Sequence, residues 1–452
     1  MRRGTVCDCA ACSCRVHLSY EVIDSHAETS ASGKFRKRVL IPIVVLIVLS
    51  SLDRVNISFA ALQMNAELGL APEAYGLAVG LFFVGYLLCQ FPSTWILTQV
   101  GAKRWITGSV VVWGSVATAM AFVQSAEQLY VLRFLLGCAE SGFAPGIVYY
   151  CSTWMPARYR ANTIAITMLA IPISVIIGGP LCGWLMRASN PLDLPGWRWM
   201  LLMEGLATVT MGIAAYFIFV DKPEQARWLT PPEKEWIARE LDTQAPPMPK
   251  AVGRSAFAAV VMDVRTWLAA LVWCTTLIGA NGMIFWLPQV IKEMSSLSDL
   301  TVGVLSALPW VGVAIGMVGN SWHSDLKQER YKHLGISLAI GTIALFLASI
   351  VTPGPLALLF LFIGGIGLGG AQGVFWSIPT AFMQRSVAAA GITLINLIGN
   401  LGSLFGPYVI GLIRARSDSF AEPVWFVAAV MATGAFLISL LHASERRLTR
   451  GQ

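Results

Sequence analysis

Four charged side chains stand inside otherwise apolar stretches of this chain: Asp53 and Arg54 side by side, and Arg133 and Glu140 seven residues apart. At 3.6 residues per turn, a spacing of seven puts Arg133 and Glu140 on one face of a helix, about 10 Å apart. A guanidinium is a planar fork of donors that matches a carboxylate and never loses its charge, so Arg54 and Arg133 are suited to grip an anion. A carboxyl partly withdrawn from water holds its proton more readily, which makes Asp53 and Glu140 candidates for proton exchange. The plainer reading is structural: Asp53 with Arg54, or Arg133 with Glu140, could form ion pairs that only hold helices together, and a neighbouring arginine can silence an acid.

The elements that must position these groups follow from composition. Of the 452 residues, 56% are hydrophobic and 13% charged, and the mean hydropathy is +0.66, against roughly 25% charged in soluble domains. Apolar stretches of about 20 residues, enough to cross a hydrocarbon core, recur along the chain. Helices are the default there, because an open backbone in lipid leaves its polar groups unpaired. The breaks define twelve spans, near 39–62, 74–97, 105–124, 128–151, 162–186, 199–220, 266–290, 301–322, 334–352, 356–380, 387–413 and 422–442. Gly406 and Pro407 are expected to interrupt the eleventh.

The predicted fold is an all-α membrane protein of twelve transmembrane helices in two six-helix bundles. Residues 1–37 read as an N-terminal cytoplasmic tail, 38–221 as the first bundle, 222–263 as a cytoplasmic linker, 264–444 as the second bundle and 445–452 as a C-terminal tail. In the linker, Thr230-Pro231-Pro232-Glu233 ahead of Trp236, Ile237 and Leu241 predicts a short capped amphipathic helix. Residues 1–36 lack an apolar period and do not resemble a signal peptide. Their cysteines, Cys7, Cys9, Cys12 and Cys14, are not completed into a familiar metal site by any histidine or second cysteine pair. No cofactor or metal is expected.

With both termini cytoplasmic, most lysines and arginines fall in cytoplasmic loops and tails, and Arg187, Arg198, Lys292, Arg414 and Arg416 fall outside, the bias that the positive-inside rule describes. The formal net charge of +7 is thus a topology signal and no argument for nucleic-acid binding, which needs a continuous basic face. The halves also repeat at an offset of 227 residues: Gly142-x-Ala144-x-Gly146 meets Gly369-x-Ala371-x-Gly373, Gly179-Pro180 meets Gly406-Pro407, and Lys103 meets Arg330. Such duplication is how many transporters are built. Tyr86, Asn281, Trp376, Ser377, Asn396 and Asn400 could donate hydrogen bonds to a substrate, although Asn and Ser also join transmembrane helices. An enzyme is disfavoured, because His323, His333 and His442 all lie away from the span centres.

Several motifs together resemble one family. Asp53-Arg54-Val55-Asn56-Ile57-Ser58, Arg133-Phe134-Leu135-Leu136-Gly137 leading to Glu140-Ser141-Gly142 and Pro145-Gly146, Phe375-Trp376-Ser377-Ile378-Pro379-Thr380, and Ala389-Ala390-Gly391-Ile392 through Asn396 to Gly399-Asn400-Leu401-Gly402 resemble the anion:cation symporters of the major facilitator superfamily. Ala226-Arg227-Trp228-Leu229-Thr230 resembles a loop of the same family. The resemblance implies two bundles rocking around a central site, and a small organic anion such as tartrate, phthalate, another hydroxy or aromatic acid, or a sugar acid, moved by proton symport or, alternatively, by uniport or exchange. It implies substrate-side roles for Arg54, Arg133 and Tyr86 and proton coupling at Asp53 and Glu140. The expected partners are that anion, protons and the lipid bilayer of the inner (plasma) membrane, with no nucleic acid, and the protein is expected to be a monomer. The gating loops are Lys103-Arg104 after span two, where Thr98 stands in place of the usual acid, and Asp325 with Arg330 after span eight.

Overall fold

Long apolar runs with few breakers fold as helices that bury one side against each other and leave the other for lipid. The computed structural model describes residues 28–154, 157–243, 260–293, 297–351, 354–383, 385–417 and 419–450; Cys7, Cys9, Cys12, Cys14 and the Pro246-Pro247 pair lie outside them. Within those residues the chain forms α1 (Ile41–Glu67), α2 (Pro72–Val100), α3 (Ala102–Met120), α4 (Ala126–Glu140), α5 (Phe143–Trp154), α6 (Ala157–Arg187), α7 (Gly196–Ile218), α8 (Pro231–Thr243), α9 (Val264–Glu293), α10 (Asp299–Lys327), α11 (Tyr331–Ile350), α12 (Pro355–Phe375), α13 (Ser377–Phe382), α14 (Arg385–Arg414) and α15 (Ala421–Arg450). Among the described residues, eleven helices are long and apolar enough to cross a membrane. The predicted third span is the exception: α3 opens on Lys103 and Arg104 and is diluted by Gly, Ser and Thr, yet it packs along α7 as a twelfth member.

Two predicted spans are interrupted where single helices were expected. Span four is α4 and α5, separated at Ser141-Gly142, and span ten is α12 and α13, separated at Trp376. In each case a proline, Pro145 or Pro379, stands four residues after a carbonyl at the break, Ser141 or Phe375, and cannot donate to it. Conversely, the interruption expected at Gly406-Pro407 is absent, and α14 runs through Pro407 unbroken. Neighbouring helices brace it there: the Trp286 indole donates to the Pro407 carbonyl at 3.3 Å, and Gly76 of α2 lies against the same oxygen.

The duplication is visible as repeated packing. In the first half α2 packs on α4, α3 on α7, and α1 on α6 and α7; in the second, α10 packs on α12, α11 on α15, and α9 on α14 and α15. The halves meet through α2 with α14, α6 with α10, and α1 with α9. Gly179 and Gly303 let two backbones touch across that interface, since a Cβ built on Gly303 would stand 2.2 Å from the Gly179 carbonyl oxygen. Across it, Gln63 donates to Asp299 at 2.8 Å, the Tyr75 hydroxyl donates to the Phe285 carbonyl at 2.8 Å, and Asn65 donates to Gln289 at 3.5 Å. These contacts all sit near the end that carries the 68–71, 188–195 and 415–420 connections, called here the distal end.

At the opposite end, the tail end, a helical stretch begins at Glu28, eleven residues ahead of the predicted first span, and joins α1 through a π turn at Arg36–Leu40. It docks on the linker: Lys34 Nζ reaches both Glu233 oxygens at 2.8 Å and Ser30 Oγ donates to Oε1 at 2.6 Å. The Thr230 amide also donates to Glu233 at 2.7 Å, the reciprocal half of a capping box at the start of α8. Burial pushes the Glu233 carboxyl up, but these donors outweigh it and hold the group below the usual range. Trp154 stacks on Trp228 with centroids 5.5 Å apart, sealing the joint.

Gly303→Val is predicted to open the distal end, because the Gly179 backbone leaves no room for the branched side chain. A cysteine placed at the buried Ala78 position, in a background with its reactive thiols replaced, should then react with an impermeant maleimide from the distal side about tenfold faster, a shift of about 1.4 kcal/mol. An unchanged rate in a folded variant contradicts this role for the glycine contact.

Candidate functional site

The first-bundle charges meet because two glycines draw α2 and α4 together. A Cβ on Gly137 would lie 1.9 Å from the Phe82 carbonyl oxygen, and one on Gly85 would lie 2.2 Å from that of Phe134. Backbone contact at both points fixes the rotation of α4 and turns Arg133 and Glu140 inward. Glu140 is the last residue of α4, where the negative end of the helix dipole increases its need for a cation.

That cation is Arg54 of α1, whose Nη2 lies 2.8 Å from Glu140 Oε1; Ser50 donates to the same oxygen. Neither ion pair considered from the sequence, Asp53 with Arg54 or Arg133 with Glu140, is formed. Neighbours along a helix are about 100° apart, so Arg54 faces Glu140 while Asp53 turns back into its bundle. There Asp53 Oδ2 accepts from Thr208 at 2.7 Å and from the Trp113 indole at 3.2 Å.

Phe82 lies between the two arginines, each guanidinium carbon 5.1 Å from its ring centroid, and Arg54 is also 5.5 Å from the Tyr86 ring. The environments of the two cations differ. The Arg54 side chain is 33% exposed, whereas Arg133 is fully buried, its Nε 3.4 Å from the Ala78 carbonyl and both terminal nitrogens without a hydrogen-bond partner. Arg133 neighbours Tyr75, which takes part in the distal contact between the bundles. Arg54 is therefore open to a solute and Arg133 is enclosed behind the distal closure.

The second-bundle residues lie on the broken span and on α14. Trp376 sits at the break, 5.2 Å from Trp273, and Phe375 stacks on Trp273 at 4.6 Å. The Ser377 hydroxyl donates across the break to the Val374 carbonyl of α12, and Asn400 donates to the backbone and side-chain carbonyls of Asn396, so these donors are engaged locally. Asn281 is bonded within its bundle to Leu277 and Ser403. Among the described residues, no hydrogen bond or ion pair joins these side chains to the arginines of the first bundle.

At the tail end, the loop that lacks its acid at Thr98 obtains one from elsewhere. Thr98 donates to its own helix at Trp95, and Asp221, just beyond α7, accepts from the Lys103 amide at 2.9 Å. The Lys103 ammonium lies 4.6 Å from the Tyr216 ring, and Arg104 is exposed. The second loop keeps its own acid, with Arg330 Nη1 2.5 Å from Asp325 and 3.0 Å from Ser324. Beside it, burial raises the Glu329 carboxyl, but the Lys332 and His333 amides and the His333 ring bring it below its ordinary value.

Sequence reasoning did not single out Phe82, Ser50, Trp113, Thr208, Asp221 or Glu204. Glu204 was accessible to it, being a fifth charge within a predicted span, 199–220. Phe82 stands one turn before Tyr86 on the same helix face, a detectable pairing. The roles of Ser50, Trp113, Thr208 and Asp221 arise only from packing between distant segments.

Comparison with known proteins places this geometry. The Major Facilitator Superfamily profile matches residues 43–407. A protein of Agrobacterium vitis named "Putative tartrate transporter" is 40% identical over 93% of this chain and 96% of its own. A "Quinolone resistance transporter" of Acinetobacter baumannii is 35% identical over 91% of this chain and 95% of its own. The solved structure of a bacterial homolog to the human lysosomal transporter Spinster superposes with a TM-score of 0.77 at 16% identity, covering 91% of this chain and 97% of that one, a likeness of fold. With twelve helices in two repeated bundles and this match across most of its length, the chain belongs to the Major Facilitator Superfamily, as a multi-pass membrane transporter and not an enzyme.

Proposed function

We propose that the protein carries a small organic anion, a carboxylate such as tartrate, phthalate, another hydroxy or aromatic acid, or a sugar acid, across the inner membrane together with protons. One observation carries this reading: Arg54 is a permanent cation halfway along α1, partly exposed, whose present counter-ion is a titratable carboxylate. A substrate carboxylate can take the place of Glu140 at the guanidinium. Glu140, left buried without its cation, is then neutralised by a proton, because an unpaired carboxylate in a low-dielectric interior is far more costly than a protonated one. Anion and proton thus replace one ion pair together.

The tartrate named for the Agrobacterium vitis relative is a small dicarboxylate and fits such a site. Tyr86 and Phe82 give it an aromatic wall. Trp376, Ser377, Asn396 and Asn400 are proposed to approach it from the second bundle as the halves rock. Closing the tail end and opening the distal contacts around Tyr75 would release Arg133 from its enclosure, making it the anion ligand of the opposite state. Asp53 is proposed as a further proton carrier, and Lys103, Arg104, Asp325 and Arg330 as the loops that regulate the tail end. The distribution of lysine and arginine supports cytoplasmic termini, which makes the tail end the cytoplasmic one.

Arg133→Lys should keep the fold but lose the bidentate geometry, weakening anion transport about tenfold or more, about 1.4 kcal/mol. Uptake by purified protein in liposomes measures this, and transport equal to the wild type would remove Arg133 as a ligand. Glu140→Gln imitates the protonated acid. It should abolish accumulation driven by a pH gradient while counterflow exchange persists; undiminished accumulation points instead to an exchanger or uniporter. A cysteine introduced into the 221–263 insert, with accessible native thiols removed, should resist impermeant reagents added to intact cells, and ready labelling would reverse the orientation.

A further inference from the structure

Behind Arg54, on the side of α1 turned into the first bundle, lies a second group of acids. Glu204 of α7 is 5% exposed. Its Oε1 accepts from the Cys182 thiol of α6 at 3.2 Å, and its Oε2 has no hydrogen-bond partner. Asp53 is 1% exposed, and its Oδ1 is likewise unpartnered. The two acids belong to one cluster: Thr208, which holds Asp53, is one turn along α7 from Glu204. Asn56, one turn along α1 from Asp53, faces Glu204. Asn56 is fully buried and neither its amide nitrogen nor its amide oxygen has a partner at hydrogen-bond geometry.

We infer that Asp53 and Glu204 form a buried proton-binding pair, with Asn56 as the amide that serves it, and that this pair contributes a second coupling site through the sixth span. The groups around it are Asn56 on α1, Trp113 on α3, Glu140 at the end of α4, Cys182 on α6 and Thr208 on α7. None of these is a cation. The nearest arginine in sequence, Arg54, is committed to Glu140. Two carboxylates enclosed together without a counter-charge cannot both be ionised, so the pair retains a proton and titrates as a unit.

The unpartnered atoms fit that state. A carboxyl protonated at Asp53 Oδ1 or Glu204 Oε2 becomes a donor, and a rotatable amide can accept from a protonated acid or donate to an ionised one. Asn56 can therefore satisfy the cluster before and after a proton leaves. The proton comes from water and returns to water, with no bond to carbon made or broken. The link to transport rests on the anion reading above: an anion that displaces Glu140 from Arg54, the residue after Asp53, adds a negative charge beside the cluster, which favours proton uptake by the pair as well as by Glu140.

Infrared spectroscopy of the purified full-length protein in lipid nanodiscs tests proton storage without any substrate. The wild type should show a protonated-carboxyl C=O stretch at neutral pH that is lost or clearly diminished in Glu204→Gln and in Asp53→Asn. Cys182→Ser, which changes the hydrogen bond to Glu204 but keeps both acids, should shift the band's frequency and leave its area unchanged. Absence of the band in the wild type, or an unchanged band in both acid variants, overturns the pair. Should Glu204→Gln fail to fold, the Cys182→Ser shift still decides, and an unmoved band overturns the assignment to Glu204. Coupling is read separately by calorimetric titration with tartrate in two buffers of different ionisation enthalpy. Fewer protons taken up per tartrate in Glu204→Gln supports the second coupling site, and wild-type uptake overturns it. If tartrate does not bind the wild type, the anion reading fails for tartrate while the infrared result stands.

Discussion

A charge inside a lipid-embedded helix bundle must find a counter-charge, a hydrogen bond or water, and the first bundle is arranged around that requirement. Arg54 is answered by Glu140 at 2.8 Å, Asp53 by Thr208 and Trp113, and Glu204 by Cys182. Insertion of one uncompensated charge at mid-membrane costs roughly 2.5–3.5 kcal/mol. Arg133 departs from the pattern, with its terminal nitrogens enclosed and unpaired against the Phe82 ring. A permanent cation held in that way is suited to a ligand that supplies the missing acceptors when the distal contacts part.

The same requirement explains why the backbones approach so closely. Gly85 and Gly137 seat α4 against α2, so that Arg133 and Glu140 are turned towards α1 rather than lipid. The break after Glu140 ends the helix at the point where its carboxylate meets Arg54. Span ten has the corresponding break at Trp376, beside Trp273 and Phe375. Each bundle therefore carries a discontinuous helix, positively charged neighbours in the first and aromatic rings in the second. Cross-bundle contact through Gly179 and Gly303 brings the two bundles' backbones together near the distal end.

Much of the architecture was legible in the chain because transmembrane helices need long apolar runs, and eleven of the twelve predicted spans coincide with helices of sufficient length and hydropathy. The predicted third span is α3, whose small polar residues dilute its hydropathy and whose packing on α7 makes it part of the bundle. Pro407 was expected to break a helix on local grounds, and neighbouring helices overrode that preference. The charged residues were identifiable one by one, but their partners depend on helix rotation, which a spacing of seven does not determine; Arg133 and Glu140 share a helix and still do not pair. Asp221 replacing the missing loop acid joins segments more than a hundred residues apart, beyond any local pattern.

In the proposed function, the cation on α1 exchanges its own carboxylate for one belonging to a solute. Thermal unfolding of the purified wild-type protein, measured against matched pairs of carboxylic acids and their neutral amides, tests this directly, since a ligand that binds the folded state raises its apparent stability by mass action. A concentration-dependent rise in melting temperature is expected with one or more of the acids and none with the corresponding amides. Equal stabilisation by acids and amides, or stabilisation by amides alone, would contradict it.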